Sequence, residues 1–512
     1  MQTVDLVFIG SGIACTATLT EVFTRLIDTP PKKPISITVI EKHHEFWLGI
    51  PYGSRSSVNA LTITSIADFF TDEEKRLKFF EWFKQNKAEL IALYTEKGGL
   101  TAKQWLDRNS EAMELENWKD VYMPRFIFGK YFHEIFRGLL KTIKEKNLAE
   151  VSLINAEGID VNPVENALYQ VIYEDEGKAI GTITAKKVII ATGSAPVKGF
   201  GEAFTPGTGI TYINDLYSPG AEINLKKLAG ALAAAKENER NVLVIGSNAS
   251  SIEFLYLLAG LPAITGLIKQ LVVISRSGLL PYHIINKKLD DYPCPNLDRV
   301  KAEGNYNIKS LVAAAMADLT PAVKDGVIVA YIDRIIGYTI ELLQALDEDA
   351  KKQFLGIYGM QLSNLFRRSG KDYKGGAAQL LGLDKLILLK GGYKHVEASA
   401  TGGILHYTDT DSSAEKLYPA SFKVIINCTG SNNLNQSASR LIYSLVHNKI
   451  AAANLSGKGF YVNENFEAAP NLYVIGPLLG GNMNKRIHFW HLENASRIMY
   501  LAPFLADCLL ER

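Results

Sequence analysis

Two stretches of this 512-residue chain, Val4 to Ile27 and Arg240 to Gly260, repeat one design: a short apolar run rich in β-branched residues, a glycine turn and an amphipathic helix. A β-branched run of this length marks a strand buried on both faces, and such strands belong to parallel sheets. Parallel strands need crossover connections, usually helices. The design therefore commits the chain to the α/β class. Its appearance twice, more than two hundred residues apart, predicts two Rossmann-like units.

In the first stretch Gly10-Ser11-Gly12 follows the strand, and Ile13 and Ala14 open the helix. Glycine at 10 permits the tight turn. Glycine at 12 lets a pyrophosphate approach the backbone, where the helix N-terminus offers free N–H groups and its positive dipole end. Cys15, at the third glycine position, is small enough for close packing of helix on strand. The next strand, "ISITVIEK", ends in Glu41, whose carboxylate can accept hydrogen bonds from a ribose diol. The gap to Glu41 exceeds the usual ~20 residues, and the loop "DTPPKKP" accounts for the excess. This pattern predicts an adenine dinucleotide at Gly10–Ala14 and Glu41.

The second turn is Gly246-Ser247-Asn248-Ala249-Ser250, with asparagine where the second glycine belongs. Asparagine tolerates positive φ best among non-glycine residues. Asn248 is thus expected to hold the turn at positive φ while its side chain crowds a pyrophosphate. The following strand, "QLVVISRSG", ends in Ser275-Arg276. An arginine there suits the 2′-phosphate of NADPH, where an acid would suit NADH; an ordinary surface arginine is the alternative reading. Two turns imply two nucleotides, one passing electrons to the other, with the imperfect turn serving the carrier that comes and goes.

The bulk numbers restrict the rest. At about 150 residues per domain, the length suggests roughly three domain-sized units. The 55 basic and 54 acidic side chains balance, which argues against nucleic acid or an anionic membrane surface as partner. No apolar run approaches the ~20 residues of a membrane span, and the opening residues do not read as a signal peptide. Cys15, Cys294, Cys428 and Cys508 are widely spaced and form no CxxC pair, which argues against dithiol reductase chemistry and for a reducing, cytoplasmic setting.

Three more strands end in glycine: "KKVIIATGSAPV" with Thr192-Gly193, "FKVIINCTGSNN" with Thr429-Gly430, and "NLYVIGPLLGGN" with Gly476-Pro477. With the opening turn, they resemble the two-dinucleotide-binding-domain flavoproteins. That resemblance implies FAD on the first turn. It also implies that the Ala-Thr-Gly and Cys-Thr-Gly strands mark the chain leaving and re-entering the FAD domain, and that Gly476-Pro477 lies beside the flavin's ribityl and phosphate region. "GIPYGSRSSVNAL", "MPRFIFGKYFHEIF" and "ISRSGLLPYH", together with Arg367 and Arg368, are similar to segments of a bacterial FAD/NAD(P)-binding group related to N-hydroxylating and flavin-containing monooxygenases. The resemblance implies that Trp47, Tyr52 and Asn59 pass near the isoalloxazine and that Asn59 hydrogen-bonds there. Arg125 is expected to hold a carboxylate or phosphate, with a structural ion pair as the alternative. His491, with His488 and Trp490, is expected at a helix start near the flavin, in a catalytic role, with a capping or packing histidine as the alternative. Gly129 and His133 have the spacing of a Phe-x-Gly-x-x-x-His signature. Ile127 replaces its Phe, and the stretch precedes the Ala-Thr-Gly strand, so it reads as an ordinary helix start.

The expected layout is an FAD-binding domain at 1–198 and 420–512, an NAD(P)-binding domain at 199–295 and 400–419, and a helical insertion at 296–399. The insertion can serve as a lid, a homo-oligomer face or a structural cap. The implied activity is an NADPH-dependent flavin monooxygenase that oxygenates a nitrogen or sulfur of a small molecule with molecular oxygen, through a flavin C4a-hydroperoxide. An NAD(P)H:acceptor reductase or oxidase, and a non-catalytic FAD-binding protein, remain the alternatives. No metal cluster is expected.

Overall fold

The computed structural model describes residues 3–200, 209–283, 293–324, 328–359, 361–362, 368–484, 486–489 and 495–510. The first sheet is built on β1 (Val4–Ile9), which lies between β2 (Ile35–Glu41) and β6 (Ile180–Ile190), parallel to both. β3 (Ala149–Asn155) extends it in parallel beside β2. β4 (Glu157–Val164) and β5 (Leu168–Glu174) form an antiparallel meander with the leading half of β6. Leu6 to Ile9 are all buried, as continuous apolar runs under helices on both faces should be.

Helix α1 (Ile13–Asp28) packs its buried face on this sheet and is tied to the C-terminal helix Ala495–Leu510 by Arg25 Nε–Asp507 Oδ1 at 2.7 Å. A helical layer follows, with short α2 (Gly49–Tyr52) and α3 (Ile66–Phe69), long α4 (Glu73–Arg108), α5 (Ser110–Glu114) and α6 (Arg125–Glu145). Gly99 breaks α4 with φ 57° and ψ −131°. Trp82, Trp105 and Trp118 are buried packing residues, as expected. Ile127 is fully buried in α6, and His133 lies six residues further along this ordinary helix.

The second sheet takes β7 (Thr211–Ile213), β8 (Asn241–Ile245) and β9 (Gln270–Ser275). Helix α7 (Ala221–Ala233) links the first two, and α8 (Ala249–Ala259) the last two. The short β10 (Tyr282–His283) pairs in parallel with β11 (Arg368–Ser369), bracketing the helical insertion. Arg367 lies outside the described residues. β12 (Leu386–Ser399) runs parallel to β9 and then forms an antiparallel meander with β13 (Gly402–Asp409) and β14 (Glu415–Phe422). β15 (Val424–Asn427) lies between β8 and β7, parallel to both. The chain then returns to the first sheet as β16 (Glu467–Ala469) and β17 (Leu472–Val474), with β17 beside β6.

Two expected boundaries therefore move. The helix Lys371–Gly382 and β12, expected in the insertion, belong to the second unit: the helix packs Gly376 on Tyr256 of α8 and feeds a strand parallel to β9. A crossover helix and an inserted helix have the same 3.6-residue period, so periodicity cannot separate them. β15, expected in the FAD domain, hydrogen-bonds into the second sheet. Helices within 295–358 form a separate small core around Leu297, Leu311, Ile335, Leu343 and Phe354, which also takes in Tyr122 from the first unit. Among the described residues, no helix is long and apolar enough to cross a membrane.

Candidate functional site

The two glycine turns are built on the same frame. In the first, Ile9 is in register with Ile40 on one side and Ile190 on the other. In the second, Ile245 is in register with Ile274 and Asn427. Gly10 N–H donates to Ile40 O at 2.8 Å, and Gly246 N–H to Ile274 O at 2.9 Å. Ala191 N–H donates to Ile9 O, and Cys428 N–H to Ile245 O, both at 2.8 Å. Gly10 has φ 95° and Gly246 φ 100°, and a Cβ on either would collide with the carbonyl oxygen of Ala191 or Cys428. Both positions thus require glycine for conformation and for space. The match also explains the corrected boundary. Ala191-Thr192-Gly193 and Cys428-Thr429-Gly430 do one job in different sheets: each supplies the carbonyl that closes its own turn. Gly193 and Gly430 share positive φ, at 78° and 84°. Beyond them the two exits cross, with Lys198 N–H to Gly430 O at 3.1 Å and Asn432 N–H to Pro196 O at 3.0 Å.

Each turn delivers a helix N-terminus to the carboxyl edge of its sheet. α1 starts at Gly12 and α8 at Asn248, and neither N-terminus has a side-chain cap. First-turn N–H groups lacking caps need another acceptor, and phosphate oxygens are the natural one. Asn248 differs from expectation. Its φ is −93° and ψ −155°, so it sits in the extended region open to any residue, and the positive φ of the turn is carried by Gly246 alone.

The register also matches Glu41 with Ser275, the residues after Ile40 and Ile274. Glu41 is buried and accepts three hydrogen bonds: Ser11 N–H and Ser11 Oγ on Oε2 at 2.8 and 2.9 Å, and His43 N–H on Oε1 at 3.0 Å. A carboxylate has about four acceptor positions, so one remains for a ribose hydroxyl. At the second turn Ser275 carries no charge, and its Oγ accepts from Gly278 N–H at 3.1 Å. Arg276 follows, exposed and without an ion-pair partner among the described residues. Its carbonyl accepts from Thr410 Oγ1 at 3.1 Å.

The remaining expected residues fall into three groups. Gly476, with φ 90°, closes on the first turn: a Cβ there would lie 3.3 Å from Ala14 Cβ, and Pro477 begins the next helical turn. Trp47 is also brought to the turn, but by its main chain. Its N–H donates to Ser11 Oγ at 3.2 Å, its carbonyl accepts from Thr16 Oγ1 at 2.7 Å, and its ring is buried 4.5 Å from Phe136. Tyr52 is buried edge-on to Phe132, and burial pushes its hydroxyl well above the ordinary range. Asn59 donates from Nδ2 to Gly98 O at 3.1 Å, while its buried Oδ1 has no partner among the described residues. Arg125 does not offer a free fork: Nε donates to Leu61 O at 2.8 Å and Nη2 to Glu253 Oε2 at 2.6 Å. The structural ion pair is the reading that fits it. His491 and Trp490 lie outside the described residues, and of His488 only the backbone is described.

Two residues escaped the sequence reading. Glu253, the partner of Arg125, is 128 positions away from it, and nothing local signals the contact. Arg55 lies in "PYGSRSS", on the loop that crosses the first turn: Gly49 comes within van der Waals distance of Gly12, and Arg55 O accepts Ala221 N–H at 2.9 Å from the second unit. The Arg55 guanidinium is half-buried in the field of Glu41, Asp215 and Glu45, with no hydrogen bond or ion pair to a described residue. Burial pushes its pKa below the ordinary arginine value despite those acids. A lone arginine among serines after Gly53 is the only local sequence signal.

A family described as FAD-NAD(P)-binding matches residues 7–195, which span β1, the first turn, Glu41, Arg55 and the Ala-Thr-Gly strand. Uncharacterized proteins of Mycobacterium tuberculosis and Mycobacterium bovis are 35% identical over 512 residues, covering 99% of this chain and 95% of theirs. The chain belongs to the FAD-NAD(P)-binding family. Two solved structures share its fold. One is the cadaverine monooxygenase DfoA of Erwinia amylovora bound to FAD, with TM-score 0.56, 12% identity, and 100% and 95% of the two chains covered. The other is L-lysine 6-monooxygenase of Pseudomonas syringae, with TM-score 0.55, 15% identity and 99% of each chain covered. The donor set of this family member suits its two dinucleotides: two uncapped helix starts, two turns made by glycines at positive φ, an acid at one strand end and a Ser-Arg pair at the other.

Proposed function

We propose that this chain is an FAD-dependent oxidoreductase that draws hydride from NADPH and oxygenates a nitrogen or sulfur atom of a small molecule, with molecular oxygen as co-substrate. The observation that carries the reading is the pair of turns in matching register whose strand ends differ in charge: Glu41 against Ser275-Arg276 sets a ribose-binding acid against a phosphate-binding base. The likeness in fold to amine monooxygenases supports the kind of reaction. Bound FAD and NADPH supply the redox chemistry: a hydride acceptor that reacts with dioxygen once reduced, and the hydride donor.

The residues of this chain supply position. The start of α1 takes the FAD pyrophosphate, and Glu41 the adenosine ribose. Gly476 closes on Ala14 at the side of that phosphate. Arg55, a desolvated cation without a partner among the described residues, adds a charged ligand to the same pyrophosphate. Asn59 Oδ1, a buried acceptor without a partner among the described residues, receives an N–H of the flavin or the substrate. The start of α8 takes the NADPH pyrophosphate beside Asn248, and Arg276 the 2′-phosphate. In the overall reaction one oxygen atom enters the substrate and the other leaves as water. The four cysteines, all free, support a reducing, cytoplasmic setting.

Anaerobic mixing of the flavin-loaded protein with NADPH tests the reading. Bleaching of the flavin is expected, faster with NADPH than with NADH. Oxygen consumption should then couple to oxygenated product across amines, amino acids and thioethers. Bleaching followed only by hydrogen peroxide would favour the reductase or oxidase, and a flavin that NADPH never bleaches would leave a non-catalytic flavoprotein.

A further inference from the structure

Glu253 occupies an unusual position. It lies four residues into α8, one turn beyond the helix start, and its side chain is 2% exposed. Its Oε2 accepts from Arg125 Nη2 at 2.6 Å, at the start of α6 in the first unit. Its Oε1 accepts from Tyr217 Oη at 2.7 Å, from the loop after β7. Tyr373 Oη, on the crossover helix Lys371–Gly382, lies 3.0 Å from Oε2 and 2.9 Å from Leu61 O, and accepts Leu61 N–H at 2.9 Å. One hydroxyl proton serves one acceptor. Leu61 O and Glu253 Oε2 each already have a donor from Arg125, so the proton goes to the charged carboxylate, the stronger acceptor.

The clamp therefore joins the helix of the second turn to Leu61, two residues beyond Asn59, and to α6. Replacing a buried ion pair by packed apolar side chains is often neutral or stabilising. Stability alone gives a chain no reason to bury this charge at a junction between units, whereas fixing a register does. Arg125 is held protonated against its burial chiefly by the Glu253 charge, and burial pushes the hydroxyls of Tyr217 and Tyr373 well up, so both tyrosines remain donors.

We propose that Glu253 is a positioning residue: it clamps α8 against the first unit and so sets the distance between the hydride donor and the acceptor ring. The proposal rests on the NADPH reading of the second turn. Hydride donor and acceptor must approach to about 3–3.5 Å, and a displacement near 1 Å costs about 100-fold in rate.

The test uses full-length, flavin-loaded protein with Glu253→Gln, which keeps shape and removes charge, and Tyr373→Phe, which removes one hydroxyl. At saturating NADPH the anaerobic flavin-reduction rate should fall roughly 10- to 100-fold in Glu253→Gln and roughly 3- to 10-fold in Tyr373→Phe. The NADP+ dissociation constant and flavin occupancy should stay within about twofold. A readout without turnover accompanies it: the long-wavelength charge-transfer absorbance between reduced flavin and NADP+, which reports ring stacking, should weaken in both variants. Rates and absorbance per bound flavin equal to wild type would overturn the proposal, even if thermal stability drops, because that is a purely structural role. If Glu253→Gln does not fold, Tyr373→Phe decides alone by the same criteria. A wild-type flavin that NADPH does not reduce refutes the proposed function itself and this inference with it.

Discussion

On the proposed function, coenzyme choice is the sharpest consequence of the matched turns, because one register comparison names the residues that would control it. Ser275 stands where Glu41 stands in the first unit, and Arg276 follows it. A hydrogen bond to a charged group is worth about 1.5–3 kcal/mol. Arg276 is exposed, and charges at a surface are screened over about 8 Å at physiological salt, so the lower end applies. Arg276→Gln should then cost NADPH about 1.5 kcal/mol, or roughly tenfold in kcat/KM. Ser275→Glu adds a carboxylate beside the 2′-phosphate. At about 5 Å and an effective dielectric constant near 20, the repulsion is about 3 kcal/mol per unit charge, or roughly 100-fold. The same carboxylate offers NADH a ribose acceptor, as Glu41 does for the first nucleotide. The neighbouring changes will not add fully, so about 1,000-fold is the upper bound on the loss of NADPH efficiency in the double variant, for one unit of phosphate charge. The assay is the anaerobic rate of flavin reduction against concentration for NADPH and NADH, in wild type, both singles and the double. A NADPH/NADH ratio that moves less than about threefold in Ser275→Glu would refute the register argument, since it would mean that the 2′ position lies elsewhere.

Further outcomes follow from the first unit. Gly10→Ala forces an L side chain to φ 95° against Ala191 O; left-handed strain of about 1–2 kcal/mol plus that collision should yield protein with little bound flavin, read as the flavin-to-protein ratio. Arg55→Gln should weaken FAD about tenfold in fluorescence titration of the apoprotein while leaving NADP+ binding unchanged; the reverse pattern would assign Arg55 to the other pyrophosphate. Glu41→Gln keeps one acceptor oxygen but loses the charge that braces Ser11, so flavin dissociation should accelerate several-fold at constant reduction rate. Trp105→Ala removes a fully buried indole bonded to Tyr122 O at 3.0 Å and should cost about 3–5 kcal/mol in urea denaturation without changing the coenzyme preference.

The features legible in the sequence were those whose demands are local. A β-branched run, a glycine at positive φ and a charged residue at a strand end each declare themselves within a few positions, so both turns, Glu41 and Arg276 could be read directly. The Cys-Thr-Gly strand was placed in the wrong sheet for the same reason. Its residues satisfy the local requirement of Ala191–Gly193, and local identity carries no information about which turn is served. The insertion was drawn too long because Lys371–Gly382 has the periodicity of any helix and only its contact with Tyr256 reveals its unit. For Arg125 the sequence leaves a ligand fork and a structural ion pair both open, because the ownership of its fork depends on Glu253, 128 residues away. Trp47 was aimed at the flavin, but α6 supplies Phe136 as a partner for its ring.

The asymmetry of the two turns has a physical basis beyond the missing glycine. At the first turn Glu41 binds Ser11 through both N–H and Oγ, and Trp47 N–H donates to the same hydroxyl. Strand end, turn and following loop are thereby fixed before any ligand arrives. At the second turn Ser275 Oγ accepts from its own loop at Gly278 N–H, and among the described residues no carboxylate holds Ser247 as Glu41 holds Ser11. A preformed turn spends less of its ligand's binding free energy on ordering, which favours tight and lasting occupancy. On the proposed function, a turn without such a carboxylate and with Asn248 at the helix start would bind more weakly and release sooner. On the proposed function, the arrangement matches a flavin that stays and a nicotinamide that must leave after each hydride, and the difference lies in the bracing around each glycine turn while the glycine itself is common to both.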